Sequence, residues 1–375
     1  MNVLFLATYG DFLATFELSN IKLWQELGCV VHCASNFSNK NYNLKTFKLD
    51  EIGVIRHEIG FERNPFKIEN LIAYKQLVNL IQQEKIDIVD CHNAVIGAFA
   101  RLAASKCKLN KVVYTPHSFF FYEGCPAKNK LIYKNVETYM ARKTDLLVSI
   151  NKEDYAASKK MPLRGKALYV PGVGVDTKKI FDMPRNREKY CAEFGFPEDA
   201  IIFVSVGELI HRKNHAAAIR AFAKADISNA FYVICGIGEL TDELFCLIHE
   251  LHLEKKVKLL GYRLDAKEVM RASDIFVFPS YQEGLPVALM EAMACGLPCI
   301  ASRIRGNVDL IDEDKGGLFF TPDDIQKLKE QMVTLANTPE KRAQWGMYNQ
   351  CRIKEFDIEN VRTIMRREYS ELLNN

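Results

Sequence analysis

Two runs of short apolar segments alternating with helix-length segments limit this chain more than any other feature. The cluster Val170-Pro171-Gly172-Val173-Gly174-Val175 separates them. In the first run, residues 2–7 have the pattern of a buried strand, 16–27 have helical periodicity, Gly28 stops that helix, and 29–35 are strand-like again. The pattern goes on with a helix near 68–83, strand 86–89, helix 94–105, strand 112–114, helix near 131–142 and strand 146–150. A second run starts with strand 201–206 and continues with strands at 231–235, 257–260, 275–278, 298–301 and 318–320. Parallel neighbours need a crossover, which is usually a helix, so each run predicts a mostly parallel sheet covered on both faces. The expected fold class is α/β, with two doubly wound parallel-sheet domains at 1–171 and 172–356. From Asp323 onward the pattern is helical only, and a charged helix closes the chain at 357–375.

At 375 residues and 48% hydrophobic content, each domain can bury a core. The net charge of +3, with no dense basic run, argues against a nucleic-acid partner. The charge is unevenly divided. Residues 101–170 carry 14 basic against 5 acidic side chains, interleaved with Phe119 to Tyr122 and with Ile132 and Tyr133, a mixture suited to an anionic membrane surface. No stretch reaches the roughly 18 apolar residues of a membrane span, and the start has no basic leader or cleavage site. The expected location is the cytoplasm, with peripheral membrane contact. Eleven cysteines without a CxxC pair point to reduced, buried thiols and no zinc site.

The stretch 281–300 carries the most chemistry. A strand at 275–278 ends at Pro279 and Ser280, Pro286 stands where the next helix should begin, and Gly296 with Pro298 stops that helix. A loop of this kind presents unpaired amides at the positive end of a helix, which favours phosphate. Gly284 lets backbone approach closely. Glu283 precedes the helix and Glu291 lies on it, so a diphosphate held there would have one carboxylate near a sugar and the other near a ribose.

A dehydrogenase needs G-x-G-x-x-G after the first strand of a half, and neither Gly172/Gly174 nor Gly236/Gly238 has the third glycine. Each pair is better explained as a turn. The loop 207–214, Gly-Glu-Leu-Ile-His-Arg-Lys-Asn, follows the first strand of the second domain, at the same sheet edge as the Glu283 loop. Arg212 and Lys213 are therefore candidates for neutralising a leaving diphosphate. Asp312-Glu313-Asp314 is the only D-x-D in the chain and is expected to be a solvated turn.

These motifs resemble those of family four retaining glycosyltransferases that build bacterial exopolysaccharide or capsule. In that family a Glu, a Gly, a Pro and a second Glu eight residues after the first recur with the spacing seen here. The resemblance implies the GT-B fold, two Rossmann-like domains facing across a cleft, with donor bound by the second and acceptor by the first. It implies a nucleotide-sugar donor, preferably UDP-linked and an N-acetylhexosamine, a saccharide or lipid-linked acceptor, and no metal or other cofactor. It also implies donor contacts at Gly207, Arg212, Lys213, Gly236, Tyr262, Glu283, Gly284, Leu285, Val287, Ala288 and Glu291. Gly10, Asp11 and His117 fall to the acceptor side, and His117, Lys213 and Glu283 to catalysis. The chain departs from the family in having Glu208 where an Arg is usual, and only Gly10 in the first glycine-rich loop. A two-domain UDP-sugar epimerase and a catalytically inactive glycan-binding protein are the alternatives.

Overall fold

The computed structural model describes residues 1–39 and 45–374. It divides into two compact units, residues 1–173 with 359–375, and residues 174–358. Among the described residues, the first unit holds β1 (Asn2–Tyr9), β2 (Val30–Asn36), β3 (Ile55–Glu58), β4 (Ile88–His92), β5 (Val112–Thr115), β6 (Leu146–Ser149) and β7 (Lys166–Tyr169). They form one parallel sheet in the order β3-β2-β1-β4-β5-β6-β7. The second unit holds β8 (Ile201–Val206), β9 (Ala230–Cys235), β10 (Val257–Leu259), β11 (Ile275–Phe278), β12 (Cys299–Ser302) and β13 (Gly317–Phe320). These are also parallel, in the order β10-β9-β8-β11-β12-β13.

The central strands are buried from end to end, which is why they read as apolar runs without alternation. The edge strands β3 and β7 gave no such run. Ile-Arg-His-Glu and Lys-Ala-Leu-Tyr are largely exposed or half-buried, so charge was tolerated and the apolar signal was lost. In each sheet the strand order reverses once, between β1 and β4 and between β8 and β11, and loops at such points are where open α/β sheets bind ligands.

Three local expectations need correction. Residues 16–27 are not one α-helix: a π-helical turn, Leu13–Glu17, precedes the α-helix Leu18–Glu26. Pro286 is not the first helical residue. Its backbone is extended (φ −79°, ψ 118°) and it caps the helix Val287–Ala294 from outside. The cysteines are free, but not all are buried: Cys246 and Cys351 are exposed and Cys107 and Cys125 half-buried.

The closing helix, Ile358–Asn374, lies on the first unit. Tyr369 stacks on Trp24 at 4.0 Å between ring centroids, and both rings donate a hydrogen bond to Asp90 Oδ2, at 3.0 and 3.2 Å. No helix among the described residues is long and apolar enough to cross a membrane.

Candidate active site

In the second unit, the loop after β8 and the loop after β11 are joined across the reversal point. The Tyr281 amide donates to the Arg212 carbonyl at 2.9 Å, Arg212 Nη1 donates to the Gln282 carbonyl at 2.8 Å, and His211 stacks on Tyr281. Asn214, at φ 53°, turns the chain from the 3₁₀ turn His211–Lys213 into the helix His215–Ala225. The result is a cation pair on one carboxylate: Lys213 Nζ lies 2.7 Å and Arg212 Nη1 2.9 Å from Glu283 Oε1. Lys213 also sits over the Phe278 ring, 5.0 Å from its centroid. Burial pushes the Glu283 carboxyl up, but Lys213 and Arg212 outweigh it and hold the group below the usual carboxylate range.

Past Glu283, the helix Val287–Ala294 buries Leu289, Met290, Ala292 and Met293 and leaves Val287, Ala288 and Glu291 on its open side. Glu291 is held there by Lys267 Nζ at 3.0 Å. The neighbouring loops approach backbone to backbone. A side chain at Gly236 would meet the Gly207 carbonyl at 1.8 Å, and one at Gly306, at φ 83°, would meet the Gly284 carbonyl at 2.2 Å. Arg305 Nε, on the loop after β12, donates to the Glu283 carbonyl at 3.4 Å and is almost fully buried.

In the first unit, the segment after β1 and the end of β4 meet His117. Gly10 and Asp11 follow β1, where the Asp11 carboxylate accepts the Lys45 amide at 2.6 Å. Phe12, next in the chain, presents its edge to the His117 ring at 4.7 Å. His117 lies after β5 at φ 58°, with His92, at the end of β4, between the two loops. Glu17 Oε1, from the π-helical turn, is 3.1 Å from His117 Nε2 and 3.6 Å from His92 Nδ1.

Residues 186–352 match the family described as Glycosyl transferases group 1, and residues 2–151 match Glycosyl transferase 4-like. The chain is 32% identical to EpsD of Bacillus subtilis, a candidate glycosyltransferase, over 94% of this chain and 93% of that one. This chain belongs to the group 1, 4-like glycosyltransferase family. It is also 32% identical to an Escherichia coli UDP-Gal:alpha-D-GlcNAc-diphosphoundecaprenol alpha-1,3-galactosyltransferase, over 73% of each chain. Its fold is that of Anabaena HepE solved with UDP, at TM-score 0.80, 19% identity, and 99% and 100% coverage of the two chains. Both sheets and their order thus make this glycosyltransferase a GT-B protein.

Within this glycosyltransferase, Gly207, Arg212, Lys213, Glu283, Gly284 and Leu285 fall in one cluster, with Val287, Ala288 and Glu291 on the helix it opens. Gly236 joins them through the close contact with Gly207, which leaves no room for a side chain there. Tyr262 follows the edge strand β10, next to Gly261, whose carbonyl accepts the Gly236 amide at 2.8 Å, and is 42% exposed. Asp312-Glu313-Asp314 is a turn whose Glu313 pairs with Arg303 and whose Asp312 accepts from Tyr348. Sequence reasoning missed Lys267, Arg305, Glu17 and His92. A carboxylate in the apolar stretch Phe12 to Leu18 was the available signal for Glu17, whereas the pairing of Lys267 with Glu291 spans 24 residues and leaves no local trace.

Proposed function

We propose that this protein is a retaining glycosyltransferase that moves a sugar from a UDP-sugar, an N-acetylhexosamine in our reading, to a hydroxyl of a lipid-linked saccharide in exopolysaccharide or capsule synthesis. The observation that carries the reading is the Arg212–Lys213–Glu283 cluster beside the Val287–Ala294 helix start, with Glu291 further along the same helix. Two cations on one carboxylate leave a net positive charge where the amides around Leu285, Val287 and Ala288 also favour an anion. Lys213 and Arg212 hold the departing diphosphate, Glu283 orients the sugar hydroxyls and Glu291 the ribose. Glu283 is ionised and fixed by its cations before donor arrives, so it needs no reorganisation. The acceptor is assigned to the first unit, at Gly10, Asp11 and His117, where the imidazole positions the sugar and stabilises developing charge. Because cations and amides meet the leaving charge, the reaction is read as independent of metal.

The nature of the relatives supports the donor and acceptor classes. The E. coli relative is named for UDP-galactose and a diphosphoundecaprenol-linked acceptor, a Campylobacter jejuni relative (28% identical) for N-acetylgalactosaminyl transfer to another such lipid, and Anabaena HepE was solved with UDP-glucose. A lipid-linked acceptor calls for access to a membrane surface. The helix Ala127–Ala141 exposes Leu131, Ile132, Val136 and Tyr139 beside Lys128, Lys130 and Lys134, the combination that binds anionic lipid. Cosedimentation with anionic vesicles at low salt checks this; a protein left in the supernatant removes the membrane part of the reading. For the reaction, UDP-sugars are incubated with an undecaprenyl-diphosphate-linked saccharide and the product examined by NMR. An α-linked product with release of UDP supports the reading. Epimerised nucleotide sugar without transfer, or no turnover of any donor, overturns it.

A further inference from the structure

The Glu17 carboxylate has no place in donor binding, yet it is buried to 1% exposure in the first unit. A buried carboxylate costs several kcal/mol unless charge or hydrogen bonds compensate it. Here no Lys or Arg among the described residues is its partner. The Asn20 amide takes Oε2 at 2.8 Å, and Oε1 is turned to two imidazoles, His117 at 3.1 Å and His92 at 3.6 Å. The π-helical turn Leu13–Glu17 takes Glu17 out of register with the α-helix that follows, and such turns recur at functional sites.

His117 is held from three sides. Its backbone is in the left-handed region, which costs a non-glycine residue about 1 kcal/mol, the Phe12 edge meets its ring, and Glu17 faces Nε2. A carboxylate oxygen can only accept, so His117 Nε2 carries the proton facing Glu17. His92 Nδ1, 3.2 Å from the same Nε2, is then an acceptor, while His92 Nε2 and Asp90 Oδ1, 3.4 Å apart, make no hydrogen bond to each other. Asp90 Oδ2 is occupied by Trp24 and Tyr369.

We propose that Glu17 is a positioning residue for His117, fixing its ring as the tautomer protonated on Nε2 and leaving Nδ1 as the ring nitrogen offered to substrate. This rests on the assignment of His117 to the sugar site made above. It also separates Glu17 from a second use of the same geometry. Glu17, His92 and His117 each place a ligand atom within 4.8 Å of the others, as a bound metal ion would require.

The full chain labelled with ¹⁵N-histidine gives the first test without any substitution. Long-range ¹⁵N–¹H spectra are expected to show His117 as the Nε2–H tautomer; the Nδ1–H tautomer overturns the proposal. Stoichiometric zinc in the protein as purified also overturns it, in favour of a metal site. Glu17→Gln keeps the shape but offers a rotatable amide, and is expected to give mixed tautomers at His117. With UDP-N-acetylglucosamine as the probe, UDP release by Glu17→Gln is expected to fall at least tenfold in kcat with KM within twofold, and Glu17→Asp to recover part of the loss. A Glu17→Gln protein with one unchanged His117 tautomer, or with kcat within twofold of the parent, overturns the role of Glu17. His117→Ala separates this from the proposed function. If His117→Ala keeps the parental rate, the assignment of His117 to the sugar site fails; if it loses the rate while Glu17→Gln does not, only the role of Glu17 fails.

Discussion

Lys213 and Arg212 share a single oxygen of Glu283, at 2.7 and 2.9 Å, although 70 residues separate Lys213 from Glu283. Lys213→Ala therefore leaves a buried carboxylate with one cation. The expected loss of turnover is 100-fold or more, and the expected loss of stability about 2–4 kcal/mol, somewhat under the usual cost of breaking a buried pair because Arg212 remains. Adding Glu283→Gln to Lys213→Ala should restore part of that stability and none of the activity. Urea unfolding and UDP release measure the two effects.

Gly306→Ala is expected to be as damaging to donor binding as loss of a charged residue. The new methyl would sit 2.2 Å from the Gly284 carbonyl, and Gly306 already holds φ 83°. Relief requires the Gly284–Leu285 backbone to move, and with it the amides at the helix start. A thermal shift by UDP that is present in the parent should vanish in Gly306→Ala, at a stability cost of about 2 kcal/mol or more.

Stability of the second unit should fall with acid before its carboxylates titrate. Burial, with Lys213 beside it, pushes His215 down to about 4 from its ordinary value near 6.5. The unfolded chain then binds a proton that the folded one refuses, so stability is full above pH 6.5 and falls as pH drops toward 4, by up to about 3 kcal/mol. Glu283, whose carboxyl is held low, adds a further loss below about pH 4.5. Denaturant titrations at pH 7, 6, 5 and 4 should show this slope, and His215→Asn should flatten it between 6.5 and 4.5.

The strand, loop and helix around Glu283 were legible because Pro279, Gly284, Pro286 and Gly296 mark where a strand ends and a helix starts and stops, whatever the rest of the chain does. The parallel sheets were legible for the same reason that β4, β5, β11 and β12 are buried on both faces. What could not be read was pairing across the fold. Glu283 with Lys213, Glu291 with Lys267, and Glu17 with His117 are each set by which loops a sheet order brings together. His92 and Glu17 in isolation look like an ordinary strand end and an ordinary helix residue.

Tyr369 offers a test of the closing helix. Tyr369→Phe removes only the hydrogen bond to Asp90 and should cost about 1–2 kcal/mol. Tyr369→Ala also removes the stacking on Trp24 and should cost about 3–5 kcal/mol. Equal losses in the two variants, by urea unfolding, would mean that the ring contact contributes nothing.

A crystal structure of the protein soaked with UDP tests the central claim most directly. The account predicts the diphosphate at the start of the Val287–Ala294 helix, within hydrogen-bond distance of Lys213 or Arg212, and the ribose hydroxyls on Glu291. A nucleotide bound elsewhere, or a helix start left empty at saturating UDP, would contradict it.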